Sequence, residues 1–157
     1  MPRLRRLLAA ALLLAPITAR AQAAAEPHPA MQVVTTLFDA MRARDTAAMR
    51  AAFVDHAVLA SWAEREGQVR FRRDSLSAFL VTVANAPKDL VLDERIYAPK
   101  LEVSDGLASV WAEYDFYGSQ RFSHCGVDAF HLARTGAGWK IVHLIDTRRA
   151  STDCPKR

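Results

Sequence analysis

Apolar residues in the first half of the chain recur with helical spacing. One stripe occupies positions i, i+3, i+4 and i+7 and consists of Val34, Leu37, Phe38 and Met41. This stripe predicts an amphipathic helix over about 30–44. Asp45 can cap a second, short helix over 46–54, and Asp74 can cap a third helix over 74–85.

After residue 87 the spacing of apolar residues changes to two, which is typical of β-strands. One short strand is already expected earlier, at 57–62. The four predicted strands of the second half cover 89–103 with an interruption near Pro99, 107–117, 121–134 and 138–147. Each connecting turn contains a glycine, so consecutive strands are predicted to run antiparallel. The pattern predicts an α+β fold, with three N-terminal helices packed on a strongly curved, mostly antiparallel sheet.

The first 23 residues have the layout of a secretory signal peptide. They contain four arginines and no acidic residue, an apolar run over 7–15, and small residues at the end. The apolar run is about nine residues long, whereas a helix that spans a bilayer needs roughly 20. Cleavage is expected after Ala21 or Ala23, by the general secretory or the twin-arginine route. We therefore predict an exported protein, periplasmic or extracellular, that the membrane does not retain after cleavage.

The composition fits one globular domain behind this leader. Hydrophobic residues make up 51% and charged residues 24% of the 157 residues, which excludes a disordered or fibrous chain. The formal charge is +4, but the 21 basic residues less the four of the leader equal the 17 acidic residues. A neutral mature chain gives no reason to expect a nucleic-acid partner. The predicted organisation is a signal peptide at 1–23, a linker at 24–29, one domain at 30–149 and a tail at 150–157.

The two cysteines are interpreted in the light of export. In an oxidising compartment, Cys125 and Cys154 are predicted to form a disulfide that ties the tail to the strand carrying Cys125. The alternative is a nucleophilic Cys125 thiol next to His124.

Strand 107–117 has two different faces. The core-like face carries Ala108, Val110, Ala112, Tyr114 and Phe116. The opposite face mixes aromatic residues with carboxylates and carries Ser109, Trp111, Glu113, Asp115 and Tyr117. We interpret this second face as a homodimer interface through the sheet, with a polar pocket or plain solvent exposure as the alternatives.

The element order α-α-β-α-β-β-β-β and two segments of sequence resemble one superfamily. The opening VVTTLFDAMRARDTAAMRAAFVDHAVL (33–59) resembles the start of cone-shaped domains related to nuclear transport factor 2, and FHLARTGAGWKIVHLIDTRR (130–149) resembles their last hairpin. The superfamily includes ketosteroid isomerase and SnoaL-like polyketide cyclases. The resemblance implies a cone with a pocket between sheet and helices. It does not decide between an enzyme, a binding protein and a partner module.

Alternation along strand 121–132 directs Asp128 to the same side as the expected core residue Phe130. A carboxyl group directed inward among apolar residues has a raised pKa, which suits proton transfer. Asp128 is therefore the candidate general acid or base, with Tyr114 as a hydrogen-bond donor to a developing oxyanion and His56 assisting. Alternatively, Asp128 holds the tail through an ion pair with one of three residues, His143, Arg148 or Arg149.

Further residues are assigned to a pocket. In a cone of this kind the predicted pocket residues are Phe38, Phe79, Phe130 and His143. A metal or cofactor is not predicted, because the histidines lack the spacing of a metal motif. His124 and His143 beside Asp128 would form a two-histidine, one-carboxylate site only in a register that the sequence does not fix. A basic cluster at 70–73 is either a contact for an anionic substrate or part of a mixed-charge loop.

These observations lead to three hypotheses. The first is an exported homodimeric cone that binds a small apolar or amphipathic molecule. The second is an enzyme of the isomerase, cyclase or dehydratase kind that uses a pocket carboxylate for proton transfer. The third is a non-catalytic partner module, which predicts a filled interior without a cavity.

Overall fold

A computed structural model describes residues 26–156 of the chain. The predicted signal peptide at 1–23, its cleavage sites and the first part of the linker lie outside the described residues. The α+β fold predicted from the sequence is confirmed, with helices first and a curved six-stranded sheet after them.

Three helices have side-chain caps that define where they begin. Helix α1 (Pro29–Ala43) and helix α2 (Thr46–Ala51) follow the predicted positions, and the Asp45 side chain accepts a hydrogen bond from the backbone N–H of Ala48 at 2.9 Å. Helix α3 (Leu76–Asn85) is capped by Ser75 and not by Asp74. The Ser75 hydroxyl accepts from the backbone N–H of Ala78 at 3.1 Å.

The sheet contains β1 (Phe53–Arg65), β2 (Gln68–Ser75), β3 (Leu92–Ser104), β4 (Leu107–Gly118), β5 (Arg121–Thr135) and β6 (Gly138–Ala150). Their order is β2-β1-β6-β5-β4-β3. Neighbours run antiparallel except β1 and β6, which pair in parallel. The first strand of the domain is therefore hydrogen-bonded to the last one.

Two strands differ from their predicted extent. β1 begins at Phe53 and takes over the end of the predicted second helix. β2 covers a segment in which the sequence predicts no strand. It is an edge strand with exposed side chains almost throughout, so no buried face signals it in the sequence. The predicted interruption near Pro99 is present as a shift in the β3–β4 register between Tyr97 and Lys100.

The core lies between α1 and one end of the concave sheet face. All four residues of the predicted α1 stripe are buried, namely Val34, Leu37, Phe38 and Met41. The ring of Phe38 meets that of Phe130 edge to face, with 6.0 Å between the centroids. The predicted disulfide between Cys125 and Cys154 is present, with 5.9 Å between the Cα atoms, and it ties the segment after β6 to β5.

Candidate functional site

A cavity of about 590 Å³ lies between the concave sheet face and helices α1 and α3. Its apolar wall includes Phe38 and Met41 from α1, Phe79 and Val83 from α3, and Leu59 from β1. Both helices contribute these side chains at helical spacing, because the stripes that face the sheet extend beyond the packed core. An apolar cavity of this size is typical of a small-molecule site.

The other end of the cavity is polar because of how the strands are aligned. Asp146 of β6 lies directly opposite Asp128 of β5 on one side and Ser61 of β1 on the other. The Ser61 hydroxyl donates a hydrogen bond to Asp146 Oδ1. Arg148 Nε donates to Asp146 Oδ2 at 2.8 Å. Asp146 thus accepts hydrogen bonds from the side chains of Ser61 and Arg148.

Asp128 is different, since it has no such donors. Its side chain is buried, with 2% of the residue exposed. Oδ2 receives no hydrogen bond from another group of the described residues 26–156. Arg148, one of its three predicted ion-pair partners, contacts Asp146 instead, and no described residue forms an ion pair with Asp128. The alternative in which Asp128 holds the tail through an ion pair therefore has no counterpart in the structure.

Glu94 of β3 faces Asp128 inside the cavity. Burial raises the pKa of Glu94 to about 7, and the negative charge of Asp146 acts in the same direction, while a hydrogen bond with Asp128 opposes them. Burial also raises the pKa of Asp128 well above its usual range, followed by the charge of Glu94 and the hydrogen bond with it. The two carboxyl groups therefore retain a proton near neutral pH, and that proton forms the hydrogen bond between them.

Tyr114 of β4 completes this end of the cavity. Its hydroxyl donates to the Thr147 backbone oxygen at 3.0 Å and lies 3.4 Å from Asp146 Oδ2. Burial raises the pKa of Tyr114, and so do the charges of the nearby carboxylates. The phenol consequently stays protonated and acts as a hydrogen-bond donor.

Gly126 makes room for the Tyr114 ring. A Cβ atom at position 126 would lie 1.7 Å from the Thr147 backbone oxygen and 2.7 Å from Cε1 of Tyr114. Any side chain larger than hydrogen would therefore displace the phenol or the backbone of β6.

His124 lies on the cavity wall two positions before Gly126. Its ring stacks on Phe116 with 5.0 Å between the centroids, and Ser123 Oγ is 3.0 Å from its Nδ1. Burial lowers the pKa of His124, and the positive charge of Arg148 adds to the effect. The imidazole is therefore neutral at pH 7 and offers one donor and one acceptor.

The structure brings together four of the residues assigned from the sequence. Asp128, Tyr114, Phe38 and Phe79 all line the cavity. Phe130 lies in the core below it and is fully buried.

Two assigned residues lie elsewhere. His143 does not line the cavity, contrary to expectation. The β5–β6 register shifts between the buried Ile141 and His143, so that His143 points to the outer sheet face, where its Nδ1 is 3.5 Å from that of His131. His56 is exposed on β1 and is also absent from the cavity wall.

The sequence reasoning missed Glu94, Asp146 and Ser61. A signal was present for two of them. Glu94 lies between Leu92 and Ile96 in the alternation of β3, and Asp146 follows Leu144 by two positions in β6. Ser61 carries no such signal, because its position depends on the parallel pairing of β1 with β6.

Neither a metal site nor a membrane span is found among the described residues. No group of three or more His, Cys, Asp or Glu residues in 26–156 is arranged to hold a metal ion. Within the same range, no helix is both long and apolar enough to cross a bilayer.

Helices that close a curved sheet around a cavity of this kind define the nuclear transport factor 2-like class of proteins. Within this class the chain belongs to the family described as "Putative lumazine-binding", whose model matches residues 25–144. No curated protein matches the chain at a significant level.

Several solved structures share the fold. A nuclear transport factor 2-like protein of unknown function from Shewanella baltica is 16% identical, with a TM-score of 0.59, over 79% of this chain and 94% of that one. A similar protein from Silicibacter pomeroyi is 20% identical, with a TM-score of 0.57, over 77% and 93%. A protein from Streptomyces avermitilis, titled a putative dehydratase of this family, is 14% identical, with a TM-score of 0.58, over 78% and 95%. At these identities the likeness concerns the fold alone.

Proposed function

We propose that this protein binds a small amphipathic molecule in the cavity. The observation that carries this proposal is the cavity of about 590 Å³, whose apolar wall ends at the carboxyl groups of Asp128 and Glu94. Burial of a polar group without sufficient hydrogen bonds costs about 1–3 kcal/mol, and a ligand that hydrogen-bonds to these carboxyl groups would reduce that cost. The apolar wall around Phe38 and Phe79 suits the rest of such a ligand. The cavity also argues against the partner-module hypothesis, which expects a filled interior.

Binding is tested with a neutral fluorescent probe, N-phenyl-1-naphthylamine, and with lumazine, the compound in the family's description. A ligand at a hundredfold excess over its Kd should raise the free energy of unfolding by about 2.7 kcal/mol. Ala78→Trp places an indole at the cavity wall. Ala78 lies on α3 and is exposed, so this position tolerates a larger side chain. This variant should lose binding.

Val81→Trp is the matched control, since Val81 lies on the same helix, is 57% exposed and does not line the cavity. Equal binding by the wild type and both variants would contradict the proposal, because the probe would then be bound outside the cavity.

A second candidate function is proton transfer on a bound carbonyl compound. The proton shared by Glu94 and Asp128 favours it, because such a group has its pKa near neutral pH. Asp128 would exchange the proton and Tyr114 would donate to the oxyanion. His56 takes no part, given its exposed position outside the cavity.

The test measures deuterium uptake next to the carbonyl of a cyclic ketone in D₂O by NMR. Asp128→Asn should reduce the rate at least about a hundredfold, whereas His56→Gln should leave it unchanged. Uptake that is no faster than in buffer for a ketone known to bind would rule out this function and leave binding intact.

The outer sheet face is proposed as a homodimer interface, as its sequence suggested. Trp111 is 54% exposed on this face, and His131 and His143 lie in the same layer of side chains. A large exposed aromatic residue on a sheet face is typical of a contact surface. Sedimentation of the wild type should give a dimer, and Trp111→Asp should give a monomer with unchanged circular dichroism.

Export of the protein is also proposed, on the basis of the first 23 residues and of the disulfide. A structural disulfide is expected in an oxidising compartment. Expression of the full chain in a bacterial host, followed by fractionation, should give a periplasmic product. Its mass should correspond to cleavage after Ala21 or Ala23, and an uncleaved cytoplasmic product would contradict the proposal.

A further inference from the structure

Arginines surround the outer part of the cavity. Arg65 at the end of β1 and Arg70 and Arg72 on β2 line the cavity and are exposed. The register explains their position, because Arg70 lies opposite Ala63 and Arg72 opposite Ser61. The edge strand β2 therefore extends the same inward-facing layer of side chains that contains the carboxylates, but with the opposite charge.

Two of these arginines have no compensating charge. Arg72 forms an ion pair with Asp74 at 3.2 Å. Arg65 and Arg70 form no ion pair with any residue of the described range 26–156. Arg65 is nevertheless close enough to the site for its charge to lower the pKa of His124. The mouth thus presents two guanidinium groups that are free to bind an anion.

The inner end has the opposite character. Asp128 is buried, and Asp146 already forms an ion pair with Arg148. An anionic group would be repelled there, whereas an uncharged donor or acceptor could hydrogen-bond to the proton-sharing carboxyl pair. Between the two ends lie the apolar side chains of α1 and α3, including Phe38 and Phe79.

We propose that the ligand is an amphipathic anion, with a carboxylate, sulfonate or phosphate group at Arg65 and Arg70 and an uncharged polar group at Glu94 and Asp128. This inference rests on the proposed binding function and specifies the class and orientation of the ligand. The charge on the ligand is what lets the cavity distinguish it from neutral molecules of the same shape.

The test uses two probes with the same anilinonaphthalene body. 1-Anilinonaphthalene-8-sulfonate carries a sulfonate, and N-phenyl-1-naphthylamine does not. The purified protein should bind the sulfonate about tenfold more tightly at low salt, and the difference should shrink as salt is added. The double variant Arg65→Gln/Arg70→Gln should abolish this difference, because it should weaken binding of the sulfonate much more than binding of the neutral probe.

Arg73→Gln is the matched control. Arg73 lies on β2 next to Arg72, but its position faces away from the cavity, and the structure does not place it on the cavity wall. This variant should bind both probes like the wild type. Ala78→Trp should block both probes, which shows that they occupy the cavity.

Three results would overturn the inference. The first is equal affinity of the wild type for the two probes, and the second is an equal loss of sulfonate binding in Arg73→Gln and in the double variant. The third is better displacement of the neutral probe by decylamine than by decanoate, which would assign the ligand's charge to the carboxylates. If Ala78→Trp blocks neither probe, the binding function itself fails. If it blocks the neutral probe and no charge preference exists, only this inference fails.

Discussion

The concave sheet face has an apolar end and a polar end that are built from successive positions of the same strands. On β5, the inward-facing residues Gly126 and Asp128 lie at the polar end. The next inward-facing residues along the chain, Phe130 and Leu132, lie at the apolar end. Both kinds of residue are buried, since Phe130 is 0% and Asp128 2% exposed. At the apolar end, Phe38 of helix α1 packs against Phe130, and the cavity lies beside this contact.

The difference shows how the protein separates stability from chemistry within one sheet. Burial of Phe130 and Leu132 is favourable, whereas burial of a carboxyl group is unfavourable unless it is protonated or hydrogen-bonded. The polar end must therefore be held in place by the rest of the fold.

Truncation at the apolar end should have the largest effect. Phe130→Ala is expected to lower the free energy of unfolding by about 3–5 kcal/mol, because it leaves a cavity in the packed core beside Phe38. Urea unfolding measures the loss. Asp128→Asn serves as the comparison and should change stability by less than about 1 kcal/mol at pH 7. Comparable losses in the two variants would show that the ends are not energetically distinct.

Loss of the disulfide should have the next largest effect. The bond joins residues separated by 29 positions, next to Gly126 at the polar end. Its removal in Cys125→Ala/Cys154→Ala is expected to cost about 3–4 kcal/mol of unfolding free energy. The single variant Cys154→Ala also removes the bond. It leaves the core side chains unchanged, since Cys154 is not buried in the core. Urea midpoints equal to that of the wild type would mean that the disulfide-bonded tail does not stabilise the polar end of the sheet.

The pH dependence of stability should come mainly from the polar end. The pKa of Glu94 is raised from 4.5 to about 7 in the folded protein. At pH values between these two pKa values, the native state therefore binds more protons than the unfolded state. The stability that this group contributes is therefore complete below about pH 4.5 and is lost as the pH rises through 7, a loss of about 3 kcal/mol.

Thermal unfolding at pH 5, 6, 7 and 8 measures this loss. Glu94→Gln should flatten the curve over that range, whereas Glu102→Gln, at an exposed position of the same strand, should not. A stability that rises between pH 5 and 8 equally in all three proteins would contradict the assignment to Glu94.

The smallest effect is expected for the Tyr114 hydroxyl. Tyr114→Phe removes the hydrogen bond to the Thr147 backbone oxygen and keeps the ring over Gly126. The expected loss is about 1 kcal/mol. Chemical denaturation with a tryptophan-fluorescence readout is sensitive enough to measure it. A loss above that of Phe130→Ala would reverse the ranking of the two ends.

Much of the fold could be predicted from local patterns. Buried positions at helical spacing identify α1, and glycine-containing turns separate the last four strands. The inward-facing sets on β4 and β5, including Tyr114 and Asp128, also follow from alternation alone. These features depend on neighbours in the sequence, and such neighbours are visible in a single chain.

The remainder depends on contacts between distant residues. β2 has no buried face, so its arginines resemble those of a loop. Glu94 was missed because the interruption near Pro99 obscured which positions of β3 face inward, and Asp146 was missed because no face was assigned to β6. His143 was placed in the pocket although its register partner, His131, lies on the outer face.

The parallel pairing of β1 with β6 has a consequence for how the molecule assembles. The hydrogen bond from Ser61 to Asp146 joins residues 85 positions apart in sequence. Contacts of such long range form late, because the intervening chain must be ordered first. Until β6 inserts, β1 and β5 each present an unpaired edge that invites association with other chains. Nascent molecules that stop before residue 138 should therefore aggregate, and their pocket should lack Asp146, even though α1, α2 and α3 have already been synthesised.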